Sequence, residues 1–250
     1  MNRSEPLNLR ALLAGVAVGA VSLSAPAEGA VLVSRTTDVA PALEPYVNFT
    51  PYSPGFTASA NLVQGLTANY TGTPNFEQSR GVAAWTDGSL STVYAQQGSG
   101  GDATDHAAYG TVQSSSVITF DLGGLHNLSL INVFLGWNDA GRDQSGFSIL
   151  TSMDGVTFDA IPGASYAIDS SIPVPSPNTS PLTHWIKFED QVPGTDIASG
   201  VQYVRFQFNA ADNNNAGIVE IEVFGQAIPE PGATLLGLLS GLFLLRRKRN

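Results

Sequence analysis

Apolar residues recur at every second position in six stretches of this chain. The stretches are 116–122, 129–135, 147–151, 184–189, 201–208 and 218–224. A repeat of two is the repeat of a β-strand with one buried and one polar face, and such strands pair into antiparallel sheets. In the last stretch Val219, Ile221 and Val223 alternate with Glu220 and Glu222, which places both glutamates on the polar face.

Turn-forming residues separate these stretches and complete an all-β prediction. They are Asp87-Gly88, Gly123-Gly124, Asp154-Gly155, Pro193-Gly194 and the run 212–215. We expect 95–110 to be an exposed loop, 170–181 with its four prolines to be a connection, and 31–56 to be a leader or an extra edge strand. No segment of the body has the period of a helix, so an antiparallel β-sandwich is predicted.

The N-terminus has the three parts of a secretory signal peptide. Arg3 and Arg10 precede an apolar run over 11–23, and the small-x-small pattern Ala25-Pro26-Ala27 follows. We expect a signal helix that is cleaved after Ala27, with Ala30 as the alternative site. A helix buried in the folded domain is the other interpretation, while the run is too short to span a bilayer, which takes about 20 residues.

The C-terminus carries a second apolar segment between two distinctive motifs. Pro229-Glu230-Pro231 precedes 13 apolar or small residues at 233–245, and the basic cluster 246–249 follows. A basic cluster after a membrane segment favours the cytoplasmic side, so the body is expected outside. The two prolines keep the preceding peptide extended and accessible.

These C-terminal features resemble a PEP-CTERM sorting signal. The resemblance implies a short transmembrane helix that holds the chain in the membrane until an exosortase, a cysteine protease-like transpeptidase, processes the tail. It also implies a Gram-negative-type bacterium that makes exopolysaccharide, with delivery to the cell surface or extracellular matrix. An ordinary tail anchor, which would stay uncut, is the alternative.

Charge and composition exclude several functions. Between residues 30 and 228 there are five basic residues against 18 acidic ones, a net charge of −13. Such a surface repels phosphate backbones, so no nucleic-acid partner is expected. It tolerates cations and neutral glycans. Without cysteine the chain has no disulfide, zinc-thiolate site or thiol nucleophile.

Six pieces in order, spread over 58–225, resemble a discoidin-type domain, the coagulation factor 5/8 C-terminal type. They are Asn61-Leu62-Val63, Trp85-Thr86-Asp87-Gly88 with Ser91-Thr92, 118–123, 152–155 with Phe158, 203–206 and 219–225. The resemblance implies a galactose-binding-like jelly-roll β-sandwich, although the cysteine pair that ties the ends of such domains is missing. The expected division is signal peptide 1–27, leader or edge segment 28–56, sandwich 57–226 and sorting anchor 227–250.

The same resemblance implies a structural calcium site where the Asp-Gly loop meets the final strand. Asp87, Thr92 and Glu220 would supply oxygens, and Leu90 a carbonyl, which suits a cation that prefers hard oxygen ligands. The alternative is a plain turn beside a solvated Glu220. A second acidic group lacks binding-loop spacing and is expected to be a solvated face; its members are Asp102, Asp105, Asp139 and Asp143.

A glycan-binding platform is the second candidate site. Discoidin-like domains bind through loops at one end of the sandwich, and here the loop 136–143 contains Trp137, Asn138 and Arg142. An aromatic face suits the C–H groups of a sugar, and planar polar groups suit its hydroxyls. Asn214 lies in another turn that could join them. The alternative places Trp137 in the core and pairs Arg142 with Asp139 or Asp143.

Catalysis has little support in the sequence. The three histidines are far apart and have no metal-ligand spacing, and the chain has no Gly-x-Ser-x-Gly motif. We therefore expect a non-enzymatic surface or matrix protein whose sandwich binds carbohydrate in the exopolysaccharide. A structural acidic coat protein without a defined ligand and a degenerate glycan hydrolase are the two alternatives.

Overall fold

The structure, a computed structural model, describes residues 30–39, 60–72, 81–88, 110–136, 142–169 and 182–229. These ranges contain nine strands: β1 (Val31–Val39), β2 (Asn69–Thr71), β3 (Gly110–Val112), β4 (Val117–Gly136), β5 (Ser145–Ser152), β6 (Asp159–Tyr166), β7 (Leu182–Asp190), β8 (Ala198–Ala211) and β9 (Ala216–Ala227). No helix in the described ranges has the length and apolarity to cross a membrane. The expected signal helix and the apolar segment 233–245 lie outside them.

All pairings between the strands are antiparallel, and β4 connects two layers. The first half of β4, residues 117–121, lies between β2 and β8. Its second half, residues 130–135, lies between β7 and β9. The first layer is thus β6-β5-β8-β4-β2, and the second is β1-β7-β4-β9-β3. The prediction of an antiparallel all-β domain is confirmed.

Aromatic rings fill the space between the two layers. Phe147 on β5 lies 5.8 Å from Phe188 on β7, measured between ring centroids, so the layers pack face to face. Phe147 also contacts Phe208 at 5.5 Å and Phe206 at 6.3 Å. Tilted and edge-to-face geometries of this kind stabilise by about 0.5–1.5 kcal/mol beyond the burial of apolar area.

All six predicted stretches lie in strands, but one predicted turn is wrong. Gly123-Gly124 does not reverse the chain, because β4 continues through it for 20 residues. The pairing of β4 with β8 shifts register between Asp121 and His126, and Gly123 has a φ of 75°. The two glycines therefore form an irregularity at which β4 passes from one layer to the other.

Three short or irregular strands escape the period-two pattern. β2 and β3 have three residues each, too few to show a repeat. β6 contains Pro162 and Gly163, which usually mark loops, but it is the last strand of its layer, where proline is tolerated. At the opposite end of the strand path, β1 pairs with β7, so residues 31–39 form an edge strand.

Candidate functional site

The Asp87-Gly88 turn folds over strand β9. It follows a 3-10 helix, Gly81–Thr86, and is tied to the chain before it by Thr86. The Thr86 hydroxyl donates to the Leu66 carbonyl over 2.9 Å, and the Thr86 carbonyl accepts from the Gln64 amide over 2.7 Å. Gly88 has a φ of 80°, which glycine adopts without strain. The turn is thus fixed in place above Glu220.

Glu220 is buried beneath this turn with one oxygen unsatisfied. Its side chain is 1% exposed, and its Oε2 accepts from the Gly88 N–H over 3.1 Å. Its Oε1 has no hydrogen-bond partner among the described residues. Burial, helped by the charge of Asp87, raises the pKa of Glu220 to about 9. The alternative of a solvated Glu220 is therefore wrong.

The structure brings together two of the three predicted metal ligands. The N–H of Gly88, which follows Asp87 in the chain, donates to Glu220 Oε2, and the charge of Asp87 raises the pKa of Glu220, so Asp87 and Glu220 lie near each other. Thr92 and Leu90 lie outside the described residues. Within the described ranges no group of three acidic or histidine side chains meets. The buried unsatisfied oxygen beside a second carboxylate nevertheless fits a hard cation such as calcium.

Glu222 is also buried, contrary to the predicted polar face of β9. Its Oε2 accepts from the Asn132 amide over 2.8 Å, and the Asn132 carbonyl oxygen accepts from the Trp185 indole over 3.0 Å. The Trp185 ring stacks on Phe134 at 5.8 Å. Burial raises the pKa of Glu222. Hydrogen bonds thus satisfy Glu222 and Asn132, in contrast to the Oε1 of Glu220 on the same strand.

The two loops expected to form the glycan platform are hydrogen-bonded to each other. The Asp212 N–H donates to the Gln144 carbonyl over 3.0 Å, and the Gly217 N–H donates to the Arg142 carbonyl over 2.9 Å. Asn214, in the turn between them, is exposed and has a φ of 63°, a conformation that asparagine tolerates. Arg142 and Asn214 are thus held in neighbouring loops at one end of the sandwich.

The remaining members of the predicted platform lie outside the described residues or differ from expectation. Trp137 and Asn138 lie outside the described ranges, as do Asp102, Asp105 and Asp139 of the second acidic group. Asp143 is 2% exposed, so for this residue the expected solvated face is wrong. The sequence pattern could not show this, because Asp143 becomes buried where the chain enters β5.

A polar group where β1 meets β7 and the end of β6 was missed by sequence reasoning. Arg35 pairs with Asp169 over 2.8 Å and donates to the Tyr166 hydroxyl over 3.3 Å. Beside it His184 is fully buried, and its Nδ1 lies 2.9 Å from the Thr37 hydroxyl. The residues that contact each other are 131 to 147 positions apart in the chain, so no local motif reveals them.

Comparison with known proteins gives only distant structural similarities. No family model matches the chain, and no curated protein matches it. CpGH89CBM32-6 from Clostridium perfringens has a TM-score of 0.36 and 18% identity, with 66% of this chain and 98% of that chain covered. CpGH89CBM32-5 from the same organism, solved in complex with GalNAc-β-1,3-galactose, has a TM-score of 0.41 and 16% identity over 63% and 93%.

A third similar structure is the lectin domain of lectinolysin complexed with Lewis B antigen. Its TM-score is 0.38 at 15% identity, with 67% of this chain and 97% of that chain covered. TM-scores below 0.5 do not establish a shared fold, so these structures assign neither a fold family nor a ligand to this chain.

Proposed function

We propose that this chain is an exported bacterial surface or matrix protein whose β-sandwich binds a glycan of the exopolysaccharide. The observation that carries the proposal is the hydrogen-bonded pair of loops at one end of the sandwich. Two backbone hydrogen bonds hold the loop of Arg142 against the turn of Asn214, although these residues are 72 positions apart. A sugar site needs polar groups held in fixed positions, and backbone hydrogen bonds between loops supply such rigidity.

The ends of the chain support export and anchoring. The basic and apolar N-terminal segment acts as the signal peptide, and Pro229-Glu230-Pro231 with the segments after it acts as the exosortase sorting signal. Of that motif the structure describes Pro229, which is exposed and lies two residues after the end of β9. An exposed peptide between a folded domain and an apolar tail is accessible to a processing enzyme.

We propose calcium as a structural ion between the Asp87-Gly88 turn and β9. Asp87 and Glu220 would hold it, together with Thr92 and the Leu90 carbonyl. The cation would give the unsatisfied Glu220 Oε1 a partner and would keep the carboxylate ionised. Its role is to fix the turn over the last strand.

The glycan proposal is tested on the full-length chain with and without calcium. The protein, in a detergent without sugar head groups, is applied to a glycan array that includes galactose and N-acetylgalactosamine termini and bacterial exopolysaccharides. We expect binding that Trp137→Ala and Arg142→Ala each reduce at least tenfold. Thr157→Ala, in the exposed β5–β6 loop at the other end of β5, serves as the control and should change nothing. Absence of binding to every glycan would contradict the proposal.

A further inference from the structure

A polar groove crosses the outer face of the first layer, away from the loops of Arg142 and Asn214. The register places Asn69, Thr119 and Arg205 side by side on β2, β4 and β8. Tyr203 pairs with Asp121 in the neighbouring row. Their side chains line an open groove of about 310 Å³ on the solvent side of the sheet. That volume lies at the lower end of the range for small-molecule sites, which is about 300–1,000 Å³.

Arg205 is held in a fixed orientation at the centre of this groove. Its guanidinium carbon lies 3.4 Å from the centroid of the Phe158 ring. Its Nε donates to the Thr119 hydroxyl over 3.2 Å. The Phe158 ring supports one face of the guanidinium, and the Thr119 hydroxyl accepts from its Nε–H, so this bond does not use the two terminal nitrogens. A guanidinium fixed in this way is preorganised for the two oxygens of a carboxylate.

Arg205 also differs from other basic residues of the body in its partners. Arg35 pairs with Asp169 at 2.8 Å, and Lys187 pairs with Glu189 at 2.7 Å. Within the described ranges no carboxylate lies within ion-pairing distance of Arg205. In a domain with 18 acidic and five basic residues, a central arginine without an acidic partner is unusual. Its charge is therefore available to an anionic ligand.

The acidic residue of the groove is already engaged. Asp121 Oδ1 accepts from the Gly123 N–H over 2.8 Å and from the Gln202 amide over 3.3 Å. It lies one row away from Arg205, beside Tyr203. A ligand carboxylate on Arg205 would lie one row away from Asp121, and a hydroxyl on the same ligand could donate to the Asp121 carboxylate. The groove thus offers one cation and several hydroxyl partners within the width of three strands.

We propose that this groove binds a carboxylate-bearing sugar, with Arg205 taking the carboxylate and Asn69, Thr71 and Thr119 taking ring hydroxyls. The site is separate from the loop-end platform and does not depend on it. One carboxylate among many hydroxyls fits a single arginine. A phosphate polymer does not, because its dense charge is repelled by the acidic body.

The test compares two probes that differ only in the carboxylate. Methyl glucuronide and methyl glucoside are titrated into the full-length chain in a detergent without sugar head groups, and binding is followed by calorimetry. We expect the glucuronide to bind at least tenfold more tightly. Arg205→Gln should remove this difference, and Arg205→Lys should reduce it, because an ammonium cannot form the bidentate pair. Equal affinity of the native chain for the two probes would overturn the proposal.

Two control variants locate the site. Gln207→Ala changes an exposed residue on the same face of β8, two positions from Arg205, and should leave glucuronide binding unchanged. Arg142→Ala should also leave it unchanged, even though it weakens binding at the loop end. Loss of glucuronide binding in Arg142→Ala with retention in Arg205→Gln would place the carboxylate site at the loops and contradict the groove.

A spectroscopic readout makes the test independent of the stability of the variants. In the native chain the Nε–H resonance of Arg205 should shift on addition of glucuronide and not of glucoside, and an unshifted resonance at saturation would overturn the proposal. An oligomer of glucuronate shows whether the groove binds acidic sugars within a polymer or only terminal and free ones. Tighter binding of the oligomer than of the monosaccharide indicates an internal residue of a polymer, and equal binding indicates a terminal or free acidic sugar.

Discussion

Two buried ionisable side chains, Glu220 and His184, show how this domain treats charge in its interior. Burial raises the pKa of Glu220 to about 9 and lowers that of His184 to about 4. Both shifts favour the neutral form, because the interior solvates ions poorly. The two residues differ in their neighbours, which determine whether the charged form could be stabilised. Glu220 lies near Asp87, and its Oε1 has no partner within the part of the chain that the structure describes. His184 lies near Arg35, whose charge further disfavours protonation.

The calcium site is tested by Glu220→Gln. Without calcium the native Glu220 is largely protonated at neutral pH and similar in shape and charge to glutamine, so the substitution should change the melting temperature little. With calcium at 100 times its dissociation constant, the native chain should gain about 2.7 kcal/mol, and the variant should gain much less. Thermal unfolding with calcium and with a chelator measures both effects. A native chain that melts identically in the two conditions would contradict the site.

His184 should make the domain less stable as the pH falls from about 6.5 to 4. The unfolded chain takes up the proton near the ordinary pKa of 6.5, while the folded chain resists it down to about 4. Between these values the unfolded state binds more protons, so the free energy of unfolding decreases as pH decreases. The loss from this residue approaches about 3 kcal/mol below pH 4.

His184→Gln isolates this contribution, because glutamine does not titrate. Denaturant unfolding at several pH values should show that the native chain loses more stability than the variant between pH 6.5 and 4. The difference between the two chains is the quantity to compare, since Glu220 and Glu222 have raised pKa values and act in the opposite sense. A difference that does not vary with pH would show that His184 is not shielded.

At the scale of elements, strand β4 determines the architecture. Its first half belongs to one layer and its second half to the other, so the two layers are covalently continuous. The middle of β4 also lies very close to β9. A Cβ added at Gly225 on β9 would lie 2.2 Å from the backbone oxygen of Asn127 on β4. This contact involves backbone on both sides and cannot be relieved by a side-chain rotation.

Gly225→Ala should therefore destabilise the domain by at least about 1–3 kcal/mol, the usual cost of overpacking. Gly124→Ala provides a matched control on β4, since a Cβ there meets no atom within 4 Å and its φ does not require glycine. Chemical unfolding of both variants measures the difference. Equal stability of the two would mean that β4 and β9 separate more easily than their pairing indicates.

Sequence periodicity predicts strands when they are long and have one polar face. It correctly places β5, β7, β8 and β9, and it finds both halves of β4. It fails at β6, where proline and glycine occur within an edge strand. It also fails at Glu220 and Glu222, because a polar residue in an alternating strand is assigned to solvent whenever the element that covers it is distant in sequence. Here that element includes the turn at Asp87, more than 130 residues earlier.

The candidate sites are subject to the same limit, because local sequence patterns do not show contacts between distant segments. The resemblance to discoidin-type domains nominated Asp87 and Glu220, which the structure brings together, and the loop of Arg142, which it places against the turn of Asn214. Nothing in the sequence marks Arg205 as more than a polar-face residue. Its significance depends on Phe158, 47 residues earlier, and on the absence of a nearby carboxylate among the described residues. Such relations arise only when the strands are paired.

At the scale of the whole molecule, the two ends of β9 lie next to different features: the proposed glycan-binding loops at its start and the expected membrane anchor after its end. β9 begins beside the loops of Arg142 and Asn214 and ends beside the middle of β4, where the Ile228 N–H donates to the Leu125 carbonyl over 2.8 Å. The chain then continues through Pro229 toward the expected anchor. The proposed glycan loops therefore lie at the opposite end of this strand from the anchor. A domain held at a membrane by its tail would present those loops away from the lipid.

The position of signal-peptide cleavage is expected to affect the pairing of the edge strand β1. The Ala30 carbonyl accepts from the Gln191 N–H over 3.0 Å, next to the first residue of β1. Cleavage after Ala27 leaves this hydrogen bond intact, whereas cleavage after Ala30 removes its acceptor. We therefore expect the first site to give the more stable product, with the edge strand β1 fully paired.

Intact mass spectrometry of the secreted protein tests both ends in one measurement. We expect a mature chain that begins at Glu28 and lacks the apolar segment 233–245 with its basic cluster. Replacement of Pro229-Glu230-Pro231 by three alanines should leave the N-terminal cleavage unchanged, because the two enzymes act on separate segments. The tail should then be retained and the protein should remain with the membrane. A secreted native chain that keeps its C-terminus to Asn250 would contradict processing, and an unprocessed chain in the membrane would indicate an ordinary tail anchor.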